Sequence, residues 1–309
     1  MSETLKNPFV GLRPFEVDDS LYYFGRDEQV KALLRQLHKN RFLAVVGSSG
    51  SGKSSLIRAG LIPNLQAGFL VKERDLWHIA VMKPGDAPLS NLAKAILTGT
   101  KQDAGDEDIA DFVVEMKRYG AQAAIKRIKP ALDKSDANML LLIDQFEELF
   151  RFVDDQKTQA AEEEAADFVN IMLGLAEQTE TQVFVCKTMR SDFFGDCDRF
   201  YGLPEAMNRS QYLVPRLTRQ QRRVAITGPI RLSGAQITAR LLDRLLNENV
   251  DTRDDLPVLQ HALMRTWRAW SISGKGDLDV EHYEKIETMQ RALQVHAEEA
   301  FGELDKTQK

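Results

Sequence analysis

Gly47-Ser48-Ser49-Gly50-Ser51-Gly52-Lys53-Ser54 follows the apolar run Phe42-Leu43-Ala44-Val45-Val46. The spacing is G-x-x-x-x-G-K-[ST], placed where a strand hands over to a helix, the setting in which a glycine-rich loop wraps phosphate. Main-chain N–H groups running from Gly47 through Ser49, Gly50, Ser51 and Gly52 to Ser55 can converge on an anion. A helix opening near Lys53 points its positive dipole end at the same spot. Lys53 adds a charge for the β- and γ-phosphates, and the Ser54 hydroxyl is an oxygen ligand of the kind Mg²⁺ prefers. A chance glycine-rich turn is the competing reading. The strand before and the helix after argue against it.

Outward from this loop, the composition is that of a globular protein: 309 residues, 43% hydrophobic and 28% charged, enough for one large or two modest domains. The net charge of −5 gives no global basic field, so neither nucleic acid nor an anionic membrane is expected as a partner. The chain has no apolar stretch of membrane-spanning length and no signal-peptide layout at its start, which predicts a cytoplasmic protein. Its two cysteines, Cys186 and Cys197, make no disulfide framework and suit a reducing compartment. Cys186 lies in an apolar run and reads as a small core residue.

Residues 1–24 read as an irregular arm broken by Pro8, Gly11 and Pro14 and anchored by Phe9, Phe15, Tyr22, Tyr23 and Phe24. Asp27 caps a helix with Val30, Leu33, Leu34 and Leu37 at helical spacing. After the loop, a helix is expected over 53–66, a strand over Leu76–Met82, and mostly helix over 88–133, with a polar, acidic connection at Lys101–Asp108. Met139–Ile143 is continuously apolar, as a strand covered on both faces must be. Ala160–Glu177 reads as an amphipathic helix, Gln182–Thr188 as another buried strand, and Gln211–Val214 as a short last one. Strands alternating with helices predict a doubly wound α/β domain. Beyond Pro215, Thr218-Arg219-Gln220-Gln221 forms a capping box and helices run to about Trp270. Ser271–Gly276 is a linker, Asp279 caps a helix over about 280–287, and another helix starts near Met289.

The apolar strand ending at Ile143 delivers Asp144, placed to hold Mg²⁺ through a water opposite Ser54. Gln145 follows, where many ATPases of this broad class keep the base that polarises water, and an amide cannot take a proton in that way. Glu147 and Glu148 are therefore the candidate bases, Glu147 the nearer to the strand end. Both could instead simply open an acidic helix. Arg190, just past a strand end, could contact the γ-phosphate or form a surface ion pair with Asp192. The basic stretch Arg216, Arg219, Arg222, Arg223 has no interleaved aromatics and reads as a solvated helix face rather than a nucleic-acid patch.

Several segments occur in one order: Asn7-Pro8-Phe9-Val10-Gly11-Leu12-Arg13-Pro14-Phe15, Tyr23-Phe24-Gly25-Arg26-Asp27, the glycine-rich loop, Asp144-Gln145-Phe146-Glu147-Glu148-Leu149-Phe150, Arg190-Ser191-Asp192-Phe193, and Leu256-Pro257-Val258-Leu259-Gln260-His261-Ala262-Leu263. Together they resemble the novel STAND subgroup of bacterial signal-transduction P-loop NTPases, over about Asn7 to Phe301. The resemblance implies an α/β P-loop NTPase with parallel sheet order 5-1-4-3-2, a small helical domain and a winged-helix domain. The corresponding division is an arm at 1–24, a core at 25–215, a helical lid at 216–274 and the start of a winged-helix-like region at 275–309. It implies a switch: ADP holds a closed form, and exchange for ATP drives oligomerisation and activates an effector, plausible in bacterial stress or antiphage defence. Gly25 and Arg26 would flank the base, Lys53, Ser54 and Asp144 would serve phosphate and Mg²⁺, Arg190 would sense phosphate, and Pro257 would match a Gly-x-Pro turn near adenine. The glycine of that turn is Asp255 here. Sensor or effector domains are expected on a C-terminal continuation or on another chain. A DNA-associated motor or loader ATPase and a non-hydrolysing nucleotide-binding scaffold are the alternatives.

Overall fold

The computed structural model describes residues 6–68, 76–102, 105–248, 255–273 and 276–286. The chain forms two compact units. One gathers Met1–Asp27, Ser49–Gly60 and Pro215–Lys309; the other gathers Glu28–Ser48 and Leu61–Val214.

The second unit is built on a five-stranded sheet of β1 (Phe42–Gly47), β2 (Leu76–Met82), β3 (Ala137–Ile143), β4 (Val183–Arg190) and β5 (Gln211–Leu213). The strand order is β2-β3-β4-β1-β5, which from the other edge is the expected 5-1-4-3-2. Every pairing is parallel. Each residue of β1 and β3 is buried, as their unbroken apolar runs require. Around the sheet lie α1 (Asp27–Asn40), α4 (Pro88–Gly99), α5 (Asp106–Tyr119), α6 (Ala121–Ser135), α7 (Glu148–Gln156), α8 (Gln159–Glu177) and α9 (Leu203–Arg209). The 88–133 stretch is thus three helices, and α8 is capped by Thr158, whose side chain accepts from the Ala161 N–H. Strand β4 lies between β3 and β1. Gly47 pairs in register with Arg190, and Ile143 with both Met82 and Lys187. The ends of β1, β3 and β4 therefore line one edge of the sheet, with Gly47, Asp144 and Arg190 along it.

The helix after the glycine-rich loop is less regular than its sequence suggests. It opens as α2 (Lys53–Ser55), widens to a π-helical stretch over Leu56–Leu61, and resumes as α3 (Ile62–Gln66). Pro63 has no N–H to give back to the preceding turn, which breaks the ladder at that point.

The first unit is helical: α10 (Arg219–Leu232), α11 (Ala239–Asn247), α12 (Asp255–Ser273) and α13 (Val280–Glu284). Thr218 and Gln221 form the expected reciprocal capping box. Helix α12 runs to Ser273, three residues past the expected end, and α13 stops at Glu284 rather than near 287. Ile226, Ile230, Leu241, Leu245, Leu259, Leu263, Trp267 and Tyr283 make one apolar core, and Phe9 of the arm is buried in it. The arm is therefore part of this unit's core. Asn7 Nδ2 donates to the Met264 carbonyl at 2.9 Å, and Phe9 meets Trp267 edge-on at 6.3 Å. The helix expected from Met289 lies outside the described residues. No helix among the described residues is long and apolar enough to cross a membrane.

Candidate functional site

The glycine-rich loop has the backbone such a cradle needs. Gly50 and Gly52 sit at φ +68° and +85°, a region that side chains rarely adopt. Gly52 is the residue from which α2 starts, so Lys53 and Ser54 stand in its first turn. A Cβ at Gly52 would come within 3.4 Å of Leu256 Cδ1, which puts the start of α12, with Pro257, beside the loop. Pro257 is thus in the first turn of a helix rather than in an open turn. The Ser51 hydroxyl is buried with no hydrogen-bond partner among the described residues. A serine hydroxyl and an aspartate carboxylate, as at Ser54 and Asp144, are each oxygen donors of the kind that suits Mg²⁺.

Arg26 is buried, 4% exposed. Its guanidinium donates to the Pro215 carbonyl at 2.8 Å and to the Ser51 carbonyl of the loop at 3.3 Å. It thereby fastens the loop's outer carbonyl to the chain entering the helical region. Ser55, by contrast, has its hydroxyl turned to the arm, where it accepts from the Phe15 N–H at 3.1 Å. Beside it Glu16 pairs with Arg58 at 2.7 Å. The arm thus braces the first turns after the loop.

Gly25 adjoins this point at φ +86°, and an added Cβ would lie 2.5 Å from the Gln221 carbonyl oxygen. A backbone carbonyl cannot swing aside as a side chain can. Gly25→Ala is expected to destabilise the protein by about 2–4 kcal/mol, the sum of left-handed strain and overpacking. The check is the midpoint of urea unfolding, and an unchanged midpoint would contradict this account of the turn.

At the sheet edge, Asp144 is buried and its Oδ1 accepts from the Thr188 hydroxyl at 2.6 Å. Thr188 Oγ1 in turn accepts from the Gln145 N–H at 2.9 Å, and the Thr188 carbonyl accepts from the Phe146 N–H at 2.9 Å. Gln145 occupies the left-handed region at φ +55°. The segment after Asp144 therefore turns sharply and is stitched to β4. Glu147 is 5% exposed and its Oε2 accepts from the Arg190 N–H at 3.2 Å. Glu148 points elsewhere, its Oε2 accepting from the Gly85 N–H at 3.1 Å. The Arg190 guanidinium pairs with Asp192 and lies 5.9 Å from the Phe193 ring centroid. The ion pair that competed with the sensor reading is therefore present. The structure brings Asp144, Glu147, Thr188 and Arg190 together and sets Glu148 apart.

Two features here were not foreseen. Thr188, read only as the end of a strand, holds the acid. Lys187 is fully buried, with its ammonium 3.7 Å from the Phe146 ring centroid and 3.9 Å from Met189 Sδ. Burial lowers its amine from the usual lysine range to about 8, against smaller opposing effects of Cys197 and Glu147. A lysine inside the run Val183-Phe184-Val185-Cys186-Lys187-Thr188-Met189 was the signal for it. Burial also pushes the Cys186 and Cys197 thiols up, which keeps both protonated.

The basic stretch is exposed at Arg216, Arg219 and Arg223. Arg219 donates to Asn247 Oδ1 at 2.8 Å, and Arg223 stands 3.7 Å from Asp243.

A sequence model of the family described as Novel STAND NTPase 1 matches residues 8–309. Among curated proteins, none matches the chain. Similar solved structures include the Aeropyrum pernix ORC2 protein in ADPNP–ADP complexes, at 13% identity and TM-score 0.59 over 84% of this chain and 67% of that one. The Walker-type ATPase PABY2304 of Pyrococcus abyssi is similar at 14% identity and TM-score 0.53, over 94% of this chain and 77% of that one. A chain of the Drosophila ORC bound to DNA is similar at 13% identity and TM-score 0.52, over 91% and 63%. At such identities the likeness is one of fold: an α/β P-loop ATPase fold.

Proposed function

The chain belongs to the novel STAND NTPase 1 family, and from that premise we propose that it is a slow, ATP/ADP-dependent signalling switch. Nucleotide exchange controls self-assembly and, through it, an effector carried on a C-terminal continuation or on another chain. The observation that supports the reading is the state of the two groups needed for hydrolysis. Glu147 is engaged by the Arg190 amide, and the Arg190 guanidinium by Asp192. Gln145 takes the place next to Asp144, and among the described residues the carboxylate that follows, Glu147, already accepts the Arg190 N–H, an arrangement that favours a long-lived nucleotide state over rapid turnover.

In this reading Gly47, Ser49, Gly50, Ser51, Gly52 and Lys53 hold the phosphates, and Ser54 and Asp144 hold Mg²⁺. Glu147 orients water, Arg190 reports the γ-phosphate once released from Asp192, and Gly25, Arg26 and Pro257 stand by the base. By role, the arm is 1–24, the NTPase core 25–215 and the helical lid 216–274, while most of 275–309, expected as the start of a winged helix, lies outside the described residues. We assign the protein to the cytoplasm and to bacterial stress or antiphage defence, on family analogy.

A DNA-associated ATPase is the second reading. It is favoured by the fold shared with a structure in which DNA is bound and by the exposed arginines of 216–223. Net charge alone does not exclude nucleic acid. The test is to denature the freshly purified protein and identify the released nucleotide by chromatography. One ADP per chain is the expected result. An empty protein whose ATP turnover is fast and stimulated by DNA would replace the switch with the motor.

A further inference from the structure

The least expected charge in the sheet unit is Lys187. Successive residues of a strand point to opposite faces, so β4 grips the Asp144–Glu147 segment from both sides. On one face Thr188 holds Asp144 and Gln145 by hydrogen bonds of 2.6 and 2.9 Å. On the other, the Lys187 ammonium lies against the face of Phe146 at 3.7 Å. That ring is itself fully buried and packed edge-on against Phe150 at 5.6 Å. The in-register neighbours of Lys187 are apolar, Ala44 on β1 and Ile143 on β3. The ionisable groups that act on it are Glu147, from the segment it touches, and Cys197, from the turn Gly195–Arg199.

An apolar side chain would fill this place without burying a cation. Desolvation makes the charge costly to the fold, and it also strengthens the pull of the ammonium on a π-face and on a nearby carboxylate. We propose that Lys187 is a positioning residue for ATP hydrolysis, whose charge holds the Phe146–Glu147 turn, and with it the Glu147 carboxylate, in place for water activation. This rests on the reading of the protein as an ATPase with Glu147 as base.

The charge is present only below the native titration of the amine, at about 8, against 10.5 for an ordinary lysine. Between these values the unfolded chain binds the proton more tightly than the native one. The burden on stability is therefore complete below pH 8 and is relieved as pH rises toward 10.5. Lys187→Met, which removes a buried cation and keeps the length of the side chain, is expected to fold with a melting temperature at least that of wild type.

The experiment is a pH profile of kcat and KM for ATP, with nucleotide affinity measured alongside, for wild type and Lys187→Met. Wild-type kcat is expected to fall roughly fivefold from about pH 7 to about pH 9, following loss of the ammonium, with affinity unchanged. The variant is expected to start roughly tenfold lower in kcat at neutral pH, with unaltered affinity, and to show no such fall. A variant that keeps the alkaline fall, or that turns over at the wild-type rate, overturns the proposal. So does a folded wild type whose kcat is flat across the range, a result that needs no variant. A wild type that binds nucleotide but never hydrolyses it at any pH would remove the ATPase reading itself, and this one with it.

Discussion

Glu147→Gln is expected to lower kcat for ATP by at least about 100-fold while leaving nucleotide affinity and the fold intact. The substitution is conservative where it matters for structure. Among the described residues the Glu147 carboxylate accepts from the Arg190 N–H at 3.2 Å, and an amide oxygen accepts as a carboxylate does. It also removes a charge that is 5% exposed, so destabilisation by desolvation falls rather than rises. What is lost is the capacity to take a proton from water. The variant should therefore retain ATP and assemble more readily than wild type, measured by nucleotide content and by light scattering. Glu148→Gln is the internal control. Its carboxylate is engaged by the Gly85 N–H at 3.1 Å, on the other side of the segment, and turnover should stay within a few-fold of wild type. Normal hydrolysis by Glu147→Gln would mean that the base lies elsewhere. Normal hydrolysis with Glu148→Gln inactive would transfer the role to Glu148. Absent hydrolysis in wild type and both variants, with nucleotide bound, would favour a scaffold.

The parts of this site that could be read from sequence are those fixed by local chemistry. The glycine spacing of 47–52 forces a phosphate-sized turn. The unbroken apolar runs at 42–46 and 139–143 belong to doubly covered strands, and Thr218 and Gln221 cap a helix by reciprocal bonds. The 5-1-4-3-2 order required the family pattern, since parallel strands carry no mark of their neighbours. The parts that stayed hidden depend on partners far along the chain. Ser55 is turned to an arm residue 40 positions away. Arg26 reaches Pro215, 189 positions on, so its buried role as a clamp could not be told from a helix-start turn. The Arg190–Asp192 pair was legible as an alternative because its residues are two apart. Lys187 passed unremarked within a run read as a buried strand. That its ammonium meets the Phe146 ring could not be read from the strand itself.

Lys53→Ala should weaken nucleotide binding by roughly 100-fold or more, the loss that follows when a charge-assisted contact to a phosphate is removed within a preformed cradle. The loop backbone has a set shape. That shape comes from Gly50 and Gly52 at positive φ, and the loop is fastened by Arg26 on the Ser51 carbonyl and by Phe15 on Ser55. An alanine is also the best of helix formers in the first turn it would occupy. The ligand-free variant should therefore still fold, seen as a cooperative melting transition of its own. The rise in melting temperature that wild type shows on adding ADP should vanish, because only a ligand bound to the native state raises it. Calorimetric titration with ADP and with ATP checks both statements. Undiminished affinity in the variant would mean that the main-chain amides alone carry the phosphates. In that case the assignment of the 47–54 loop would stand on its glycines, without its lysine.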